Sequence, residues 1–209
     1  MVAAAAAVVA QEEDLGDLKL YRVPEPVTVS AKGLKQVAFL DRDEVKGELF
    51  YKAGCTPWDA AGGEFVPATR LLATVNDKAH GLGVALPAGA ITVFEPSAVG
   101  ELFVGERQLR DYAAAQDVEI EMGRSSQVFA ACEVVGRAPT FERGEIVTMR
   151  MTLTNANRVP AKLRLSLGGA GGHRIEGLKG VRVKDGERVV DVAVPANGRR
   201  EVRWTMHFD

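Results

Sequence analysis

The sequence predicts an all-β protein of two antiparallel β-sandwich subdomains, the C-terminal one immunoglobulin-like. Three observations predict this fold: apolar and polar residues alternate along many short segments, turn residues separate these segments, and no long helical pattern interrupts them. Because successive side chains of a strand face opposite sides of a sheet, alternation indicates half-buried strands. Many short strands separated by regular turns are typical of sandwiches and barrels.

The alternation is clearest in five segments. Apolar residues recur at every second position over 118–122, 147–153, 163–167, 190–194 and 202–208. The positions between them are mostly charged or hydroxylated, which predicts one buried and one exposed face for each strand. The dipeptides Asp185-Gly186 and Asn197-Gly198 predict hairpin turns, because both residue types tolerate a positive φ.

The length of 209 residues suits one large β domain or two small sandwiches. We expect a boundary near 123–127, with one β-sandwich over 17–124 and the immunoglobulin-like sandwich over 125–209. Residues 1–16 are expected to be an alanine-rich arm or a truncated export signal. The opening apolar run ends in a small-residue pattern like a cleavage site, but no basic residue precedes it. We favour a fragment of a longer exported protein.

Composition argues against several classes of partner. The chain has 26 basic and 28 acidic residues, so its near-neutral surface creates no long-range field that attracts nucleic acid. No segment reaches the roughly 20 apolar residues of a membrane span. We therefore predict no nucleic-acid partner and no integral membrane segment. The long alternating strands have edges through which a protein partner or a second copy could pair.

The sequence contains no recognisable catalytic or metal-binding motif. The three histidines, His80, His173 and His207, form no metal-ligand pair, and no serine lies in a nucleophile-elbow pattern. The glycine-rich segment 168–172 does not lead into a helix, so it does not resemble a phosphate-binding loop. We predict a non-enzymatic protein with no catalytic residues, no metal site and no cofactor.

The two cysteines, Cys55 and Cys132, allow two interpretations. A disulfide would need an oxidising compartment and a Cα separation below about 7 Å. The alternative, which we favour from the sequence, is a pair of unpaired and partly buried thiols. A zinc site is not predicted, because zinc needs about four ligands at close spacing.

Four residues are candidates for ligand binding: Trp58, Asn76, His80 and Tyr112. Trp58 lies in a Gly- and Pro-rich loop over 53–67 that we expect to be exposed and mobile. Together with Tyr112 and the loop from Asn76 to His80, it could line a shallow cleft for a carbohydrate or another small ligand. For Asn76 an architectural role is also open, because asparagine can satisfy loop backbone groups through an Asx turn.

The segment 76–89 follows the pattern N-x-x-x-x-x-L-G-x-x-L-P-x-G, and a strand and the step Phe103-Val104-Gly105-Glu106 come after it. This resembles the C-terminal region of the DUF4139 family of bacterial proteins, and the resemblance covers nearly the whole chain after residue 15. One departure is Tyr112-Ala113-Ala114, where the family often has Thr-Pro. The resemblance implies a β-rich module of the cell envelope and supplies no mechanism and no catalytic residues.

Within this resemblance we assign structural roles to five motif residues. They are Gly83, Pro87, Gly89, Gly105 and Glu106. Gly83 and Gly89 are expected to form turns that are closed to residues with a Cβ atom. Pro87 is expected to restrict φ just before a strand.

The sequence therefore predicts a non-enzymatic structural or protein-interaction module of the bacterial cell envelope, and we expect it in the periplasm or cell envelope. The alternative is a carbohydrate- or small-ligand-binding β-sandwich. A third hypothesis, a hydrolase with a site assembled from distant residues, requires a histidine within hydrogen-bond reach of a nucleophile.

Overall fold

The computed structural model describes residues 11–15, 18–23, 26, 28, 29, 31–33, 40–60 and 62–208. Over these ranges the protein is nearly all β, with one large mixed sheet and two small two-stranded sheets. The one short helical element there is a single 3₁₀ turn, Lys78–His80. The prediction of an all-β protein is confirmed.

The structure describes thirteen strands. They are β1 Gln11–Leu15, β2 Leu18–Arg22, β3 Glu48–Gly54, β4 Phe65–Val75, β5 Gly89–Ser97, β6 Gly100–Leu109, β7 Asp117–Val135, β8 Ile146–Asn155, β9 Ala161–Gly169, β10 His173–Glu176, β11 Arg182–Lys184, β12 Glu187–Val194 and β13 Gly198–Phe208. All five segments with clear alternation lie within these strands, as predicted.

The large sheet has nine strands in the order β10-β13-β8-β7-β4-β3-β9-β12-β11. Strands β3 and β9 pair in parallel, with Tyr51 opposite Leu163, so the expectation of purely antiparallel sheets is wrong at this pair. Parallel neighbours need a long connection, and here more than one hundred residues of chain separate the two strands. The small sheets are the antiparallel pairs β1–β2 and β5–β6.

The large sheet curls so that β12 comes close to β8 and β13. The alternating apolar residues of these strands face one another and form the main core. Its fully buried members include Met149, Met151, Leu153, Leu163, Leu165, Leu167, Val194, Trp204 and Met206. Burial of each large apolar side chain stabilises the fold by about 1.5–3 kcal/mol.

The two predicted hairpin turns differ in outcome. Asp185 and Gly186 both have positive φ, and they join the antiparallel neighbours β11 and β12 as predicted. The hairpin prediction at Asn197-Gly198 is wrong, because β12 and β13 are not neighbours in the sheet. Asn197 has a φ of 46°, while Gly198 already begins β13. The turn therefore carries the chain from one half of the curled sheet to the other.

Cys55 and Cys132 form a disulfide with a Cα separation of 5.3 Å, so the expectation of two unpaired thiols is wrong. Cys55 follows β3 and is fully buried, and Cys132 lies on the core face of β7. The loop predicted to be mobile is tied down here, because the Cys55 N–H donates to the Ser166 carbonyl and the Gly63 N–H to the Cys132 carbonyl. The pairing depends on how distant strands meet, which the spacing of the cysteines does not encode.

The contacts divide the chain into two units. The first consists of Met1–Lys46, Thr74–Ala88 and Arg110–Val118. The second consists of Gly47–Ala73, Gly89–Leu109 and Glu119–Asp209. The two units interleave along the chain, whereas the sequence predicts two consecutive ranges. Strand β7 continues without a break through residues 124 and 125, where the boundary was expected. Residues 1–10 and 16 of the predicted arm lie outside the described residues.

In the ranges that the structure describes, there is no helix long and apolar enough to cross a membrane.

Candidate functional site

Asn76 is fully buried in the first unit and holds its backbone together. Its side-chain amide nitrogen lies 2.6 Å from the Val84 carbonyl oxygen, 2.9 Å from that of Ala113 and 3.4 Å from that of Tyr112. Its side-chain oxygen accepts from the Gly83 N–H at 3.0 Å. The polar atoms of this side chain therefore form hydrogen bonds with the backbone of the same unit. This is the architectural role that the sequence left open for Asn76. Ligand binding by Asn76 stays a prediction.

Asp77 caps the 3₁₀ turn that follows. Its carboxylate accepts from the His80 backbone N–H at 2.9 Å and contacts the His80 ring Nδ1 at 2.7 Å. These two contacts with His80 hold the pKa of Asp77 below its ordinary value. The His80 side chain is 37% exposed, so its ring remains accessible while its position is set by Asp77. A ligand role for His80 stays a prediction.

Tyr112 is 4% exposed, so it is a core residue of the first unit. Its backbone forms an isolated antiparallel bridge with Leu86, and the Arg110 guanidinium lies 4.5 Å above its ring centroid. The structure therefore brings Tyr112 and Asn76 together around one buried turn. Trp58, the fourth candidate residue, belongs to the second unit.

The motif residues have different structural roles. Gly83 has a φ of 95°, and a Cβ atom there would lie 2.8 Å from the Lys78 side chain, so glycine is required. Gly89 was also expected to form a turn that excludes a Cβ atom, and this expectation is wrong, because its backbone and surroundings leave space for a side chain. Pro87 is half-buried and lies two residues before the start of β5. Gly105 and Glu106 pair with Val93 and Thr92 in the β5–β6 sheet.

Trp58 belongs to an aromatic cluster in the second unit. The other members are Phe141, His173 and Phe208. The rings of Trp58 and Phe141 stack with centroids 5.5 Å apart at 15°, while His173 and Phe208 meet Trp58 edge-on. Trp58 is 53% and Phe141 40% exposed, but His173 and Phe208 are buried. The cluster therefore presents an aromatic surface on a buried base.

The base of this cluster depends on the glycine-rich segment 168–172. Gly168 has a φ of 95°, and an added Cβ would lie within 3.3 Å of Thr56 and 3.7 Å of both Trp58 and His173. Arg188 donates to the Gly169 carbonyl at 2.7 Å and lies 3.3 Å from the His173 Nε2. The glycines therefore serve close packing against Trp58, and β10 rather than a helix follows them.

Glu145 positions the loop that carries Phe141. Its carboxylate accepts hydrogen bonds from the backbone and hydroxyl of Thr140 and from the Phe141 N–H at 2.6 Å. Desolvation of Glu145 raises its pKa, but the hydrogen bonds from Thr140, Phe141 and Glu142 outweigh it, so the pKa lies below its ordinary value. The ionised carboxylate therefore holds the exposed ring of Phe141 against Trp58.

This arrangement predicts a pH-dependent stability. A carboxylate whose pKa is lowered by folding stabilises the native state above its unfolded pKa, which for glutamate is about 4.3, and this contribution is lost as the pH falls through the lower folded value. We expect the midpoint of thermal unfolding of the wild type to exceed that of Glu145→Gln near neutral pH, and the difference to shrink on acidification. Melting curves that stay the same distance apart at every pH would contradict this role.

The β5–β6 hairpin carries four exposed large apolar side chains of the second unit. Val99 is 89%, Phe103 66%, Leu102 52% and Phe94 51% exposed. Phe94 and Phe103 are directly opposite each other across the strands, with ring centroids 6.0 Å apart. The base of the hairpin is fixed, because Arg107 donates to the Glu121 carbonyl of β7 at 2.8 Å.

The contacts of two histidines bear on the hydrolase hypothesis. His80 contacts Asp77 through its ring Nδ1. His207 contacts both Thr205 and Glu176 at 3.3 Å, and both contacts use the same Nε2 atom. A catalytic relay needs the nucleophile and the orienting carboxylate on opposite ring nitrogens, so the His207 contacts do not form one. No cluster of metal-binding side chains occurs in the described part of the chain.

Most of the residues that form the aromatic cluster and the hairpin face were not predicted from the sequence. Phe141, His173 and Phe208 come from three distant segments and meet Trp58 only in the folded second unit. Phe94 and Phe103 look like ordinary strand residues, and their exposure follows from the two-stranded pairing of β5 with β6. One available signal was the pair of apolar residues Leu102 and Phe103, which breaks the alternation of β6.

Comparison with known proteins finds no match for this chain among family models, curated proteins or solved structures. The resemblance to the DUF4139 family therefore stays a hypothesis.

Proposed function

We propose that this chain is a non-enzymatic structural or protein-interaction module that docks through the β5–β6 hairpin. The observation that carries this proposal is the exposed pair Phe94 and Phe103 on a two-stranded sheet whose base is anchored. Contiguous apolar surface of this kind marks interaction sites, because its contact with water is unfavourable. Aromatic side chains also dominate binding energy at interfaces.

The hairpin favours docking by its face rather than by its edges. Pro96 of β5 has no backbone N–H to donate, and the register between β5 and β6 shifts at Val93 and Phe94. Both features weaken the addition of a further strand. On the face that carries Phe94 and Phe103, in contrast, the two rings meet edge-to-face across the strands.

The charge on this face indicates the chemistry of the partner. Glu101 and Glu106 share the face with Phe94 and Phe103, as the register shows. The nearby Arg107 directs its guanidinium to the backbone carbonyls of Glu106 and Glu121. The partner we propose is a protein with an apolar cleft bordered by lysine or arginine. An anionic membrane or the same face of a second copy would meet like charge.

Three further parts of the proposal have separate support. The disulfide supports an oxidising location such as the periplasm or cell envelope. The resemblance to the DUF4139 family gives Gly83 a turn-forming role, and the positive φ of Gly83 agrees with it. The buried turn around Asn76, whose side chain accepts from the Gly83 N–H, supports the same motif. The approach of β12 to β8 and β13 supports an immunoglobulin-like sandwich packing of the second unit.

A carbohydrate- or small-ligand-binding sandwich is the second candidate function. The observation that favours it is the half-exposed stack of Trp58 on Phe141, beside the polar side chains of Thr56 and Asp59. Aromatic rings beside a few polar groups are typical of small-molecule sites.

The hairpin proposal predicts that Phe94→Ser combined with Phe103→Ser weakens partner binding by at least about tenfold, because two aromatic anchors are lost. We would place a photo-crosslinking amino acid at position 103 of the full chain, identify the crosslinked protein, and measure its affinity for the purified chain. Binding is also expected to weaken with added salt and with Glu101→Lys.

The matched control is Val183→Ser, which removes another exposed apolar side chain, 62% accessible, on β11. It is expected to leave binding unchanged. Equal affinity of the wild type and the double phenylalanine variant would overturn the docking role of the hairpin, and so would crosslinking at position 103 to lipid alone.

A further inference from the structure

We infer that a groove in the second unit, where the middle of β7 meets the end of β8 and the start of β13, binds a neutral, hydroxylated ring such as a single sugar residue. The groove has a volume of about 290 Å³, and its side chains include Gln127, Phe129, Thr154 and Asn197. Small-molecule sites usually span about 300–1,000 Å³, so this groove suits one ring rather than a long chain. It is separate from the β5–β6 hairpin and from the Trp58 cluster.

The lining determines the class of ligand. None of the residues that line the groove has an ionisable side chain. Arg199 lies opposite Thr154 in the sheet, but its guanidinium contacts the Thr152 hydroxyl at 3.4 Å and it does not line the groove. An anion would find no cation there, and a cation would find no carboxylate. The site therefore favours an uncharged ligand.

The polar groups of the groove match hydroxyl groups. The amides of Gln127 and Asn197 each donate and accept, and the Thr154 hydroxyl does both. Within the described part of the chain these three side chains make no hydrogen bond, so they are available to a ligand. The Phe129 ring, opposite Thr154 in the sheet, offers an apolar surface to the C–H groups of a sugar ring.

The walls of the groove are held by two buried polar residues. Ser125 is 5% exposed, and its hydroxyl accepts from the backbone N–H groups of Gln127 and Val128 at 3.1 and 3.0 Å. Asn155 is 2% exposed and donates to the Val159 and Pro195 carbonyls at 2.9 and 3.0 Å. A site that is ordered before binding loses less entropy when the ligand enters.

The test is an NMR titration of the full chain that follows the side-chain amides of Gln127 and Asn197. The probes are the methyl glycosides of glucose, galactose and mannose, N-acetylglucosamine, and the anionic glucuronate. We expect at least one neutral sugar to shift both amides saturably at millimolar concentration, and glucuronate to have no effect. Phe129→Ala and Gln127→Ala are each expected to weaken binding by about tenfold.

Two control variants locate the site. Thr148→Val changes the same face of β8 outside the groove and is expected to bind as the wild type does, whereas Thr154→Val is expected to bind more weakly. Trp58→Ala is also expected to bind normally. Because the Gln127 side chain is exposed, Gln127→Ala keeps the test valid if Phe129→Ala does not fold.

Three outcomes would overturn the inference: no saturable shift with any neutral sugar, binding of glucuronate alone, or binding that Trp58→Ala abolishes and Gln127→Ala leaves intact. The last result would place the sugar at the Trp58 cluster and support the second candidate function instead. None of these outcomes affects the hairpin proposal, because that proposal is tested with variants of Phe94 and Phe103.

Discussion

Replacing Cys55 and Cys132 together with alanine is expected to lower the free energy of unfolding by about 2–5 kcal/mol. The disulfide joins residues 77 positions apart, so in the unfolded chain it closes a long loop and restricts many conformations. In the folded state it connects the end of β3 to β7 beneath the segment that carries Trp58. Its loss therefore stabilises the unfolded state and loosens the base of the aromatic cluster.

The measurement is urea unfolding followed by intrinsic fluorescence, with and without a reductant. Reductant should shift the wild-type midpoint to lower urea and leave the double alanine variant unchanged. The variant controls for effects of the reductant that do not involve the disulfide. Identical wild-type midpoints under both conditions would show that the bridge contributes nothing to stability.

The second large effect is expected at Asn155. Its side-chain amide nitrogen lies within 3.4 Å of three carbonyl oxygens, those of Val159, Val194 and Pro195, inside the second unit. Asn155→Ala would remove these three contacts, together with the hydrogen bonds that the backbone N–H and side-chain amide of Asn157 donate to the Asn155 side-chain oxygen. Because an unsatisfied buried polar group costs about 1–3 kcal/mol, we expect a total loss of about 3 kcal/mol.

Asn197 serves as the control, because it tests whether replacing any asparagine in this region lowers the stability as replacing Asn155 does. Asn197 is exposed and has a φ of 46°, which glycine adopts readily. Asn197→Gly is therefore expected to change the free energy of unfolding by less than about 0.5 kcal/mol. If urea unfolding shows the same stability for Asn155→Ala and Asn197→Gly, the proposed backbone-holding role of Asn155 is wrong.

Asn76 shows how much of a residue's role can be predicted from the sequence. The sequence identifies Asn76 as a residue that either satisfies loop backbone or contacts a ligand, since asparagine chemistry serves both. Only the fold shows which carbonyls surround it: those of Val84 and Ala113 come from segments separated by nearly thirty residues. A side chain's partners depend on its three-dimensional surroundings, and a single sequence contains no direct record of them.

Trp58 and the hairpin residues show the same limit for surfaces. Trp58 was predicted to be exposed, and it is, but its neighbours Phe141 and Phe208 could not be predicted from local pattern. Phe94 and Phe103 look like ordinary strand residues, yet β5 and β6 form a sheet of their own and leave both rings accessible. Exposure depends on which strands cover one another, and this is a property of topology.

The amino-acid sequence alone determined the all-β character of this protein, because alternation of period two has the same physical meaning wherever it occurs. It also determined which side chains of β8, β9 and β13 enter the core. The tertiary structure alone decided the parallel pairing of β3 with β9, the Cys55–Cys132 bridge and the surfaces available to partners. These features join residues that are far apart in the chain, so their geometry is defined only once the strands have paired in the folded protein.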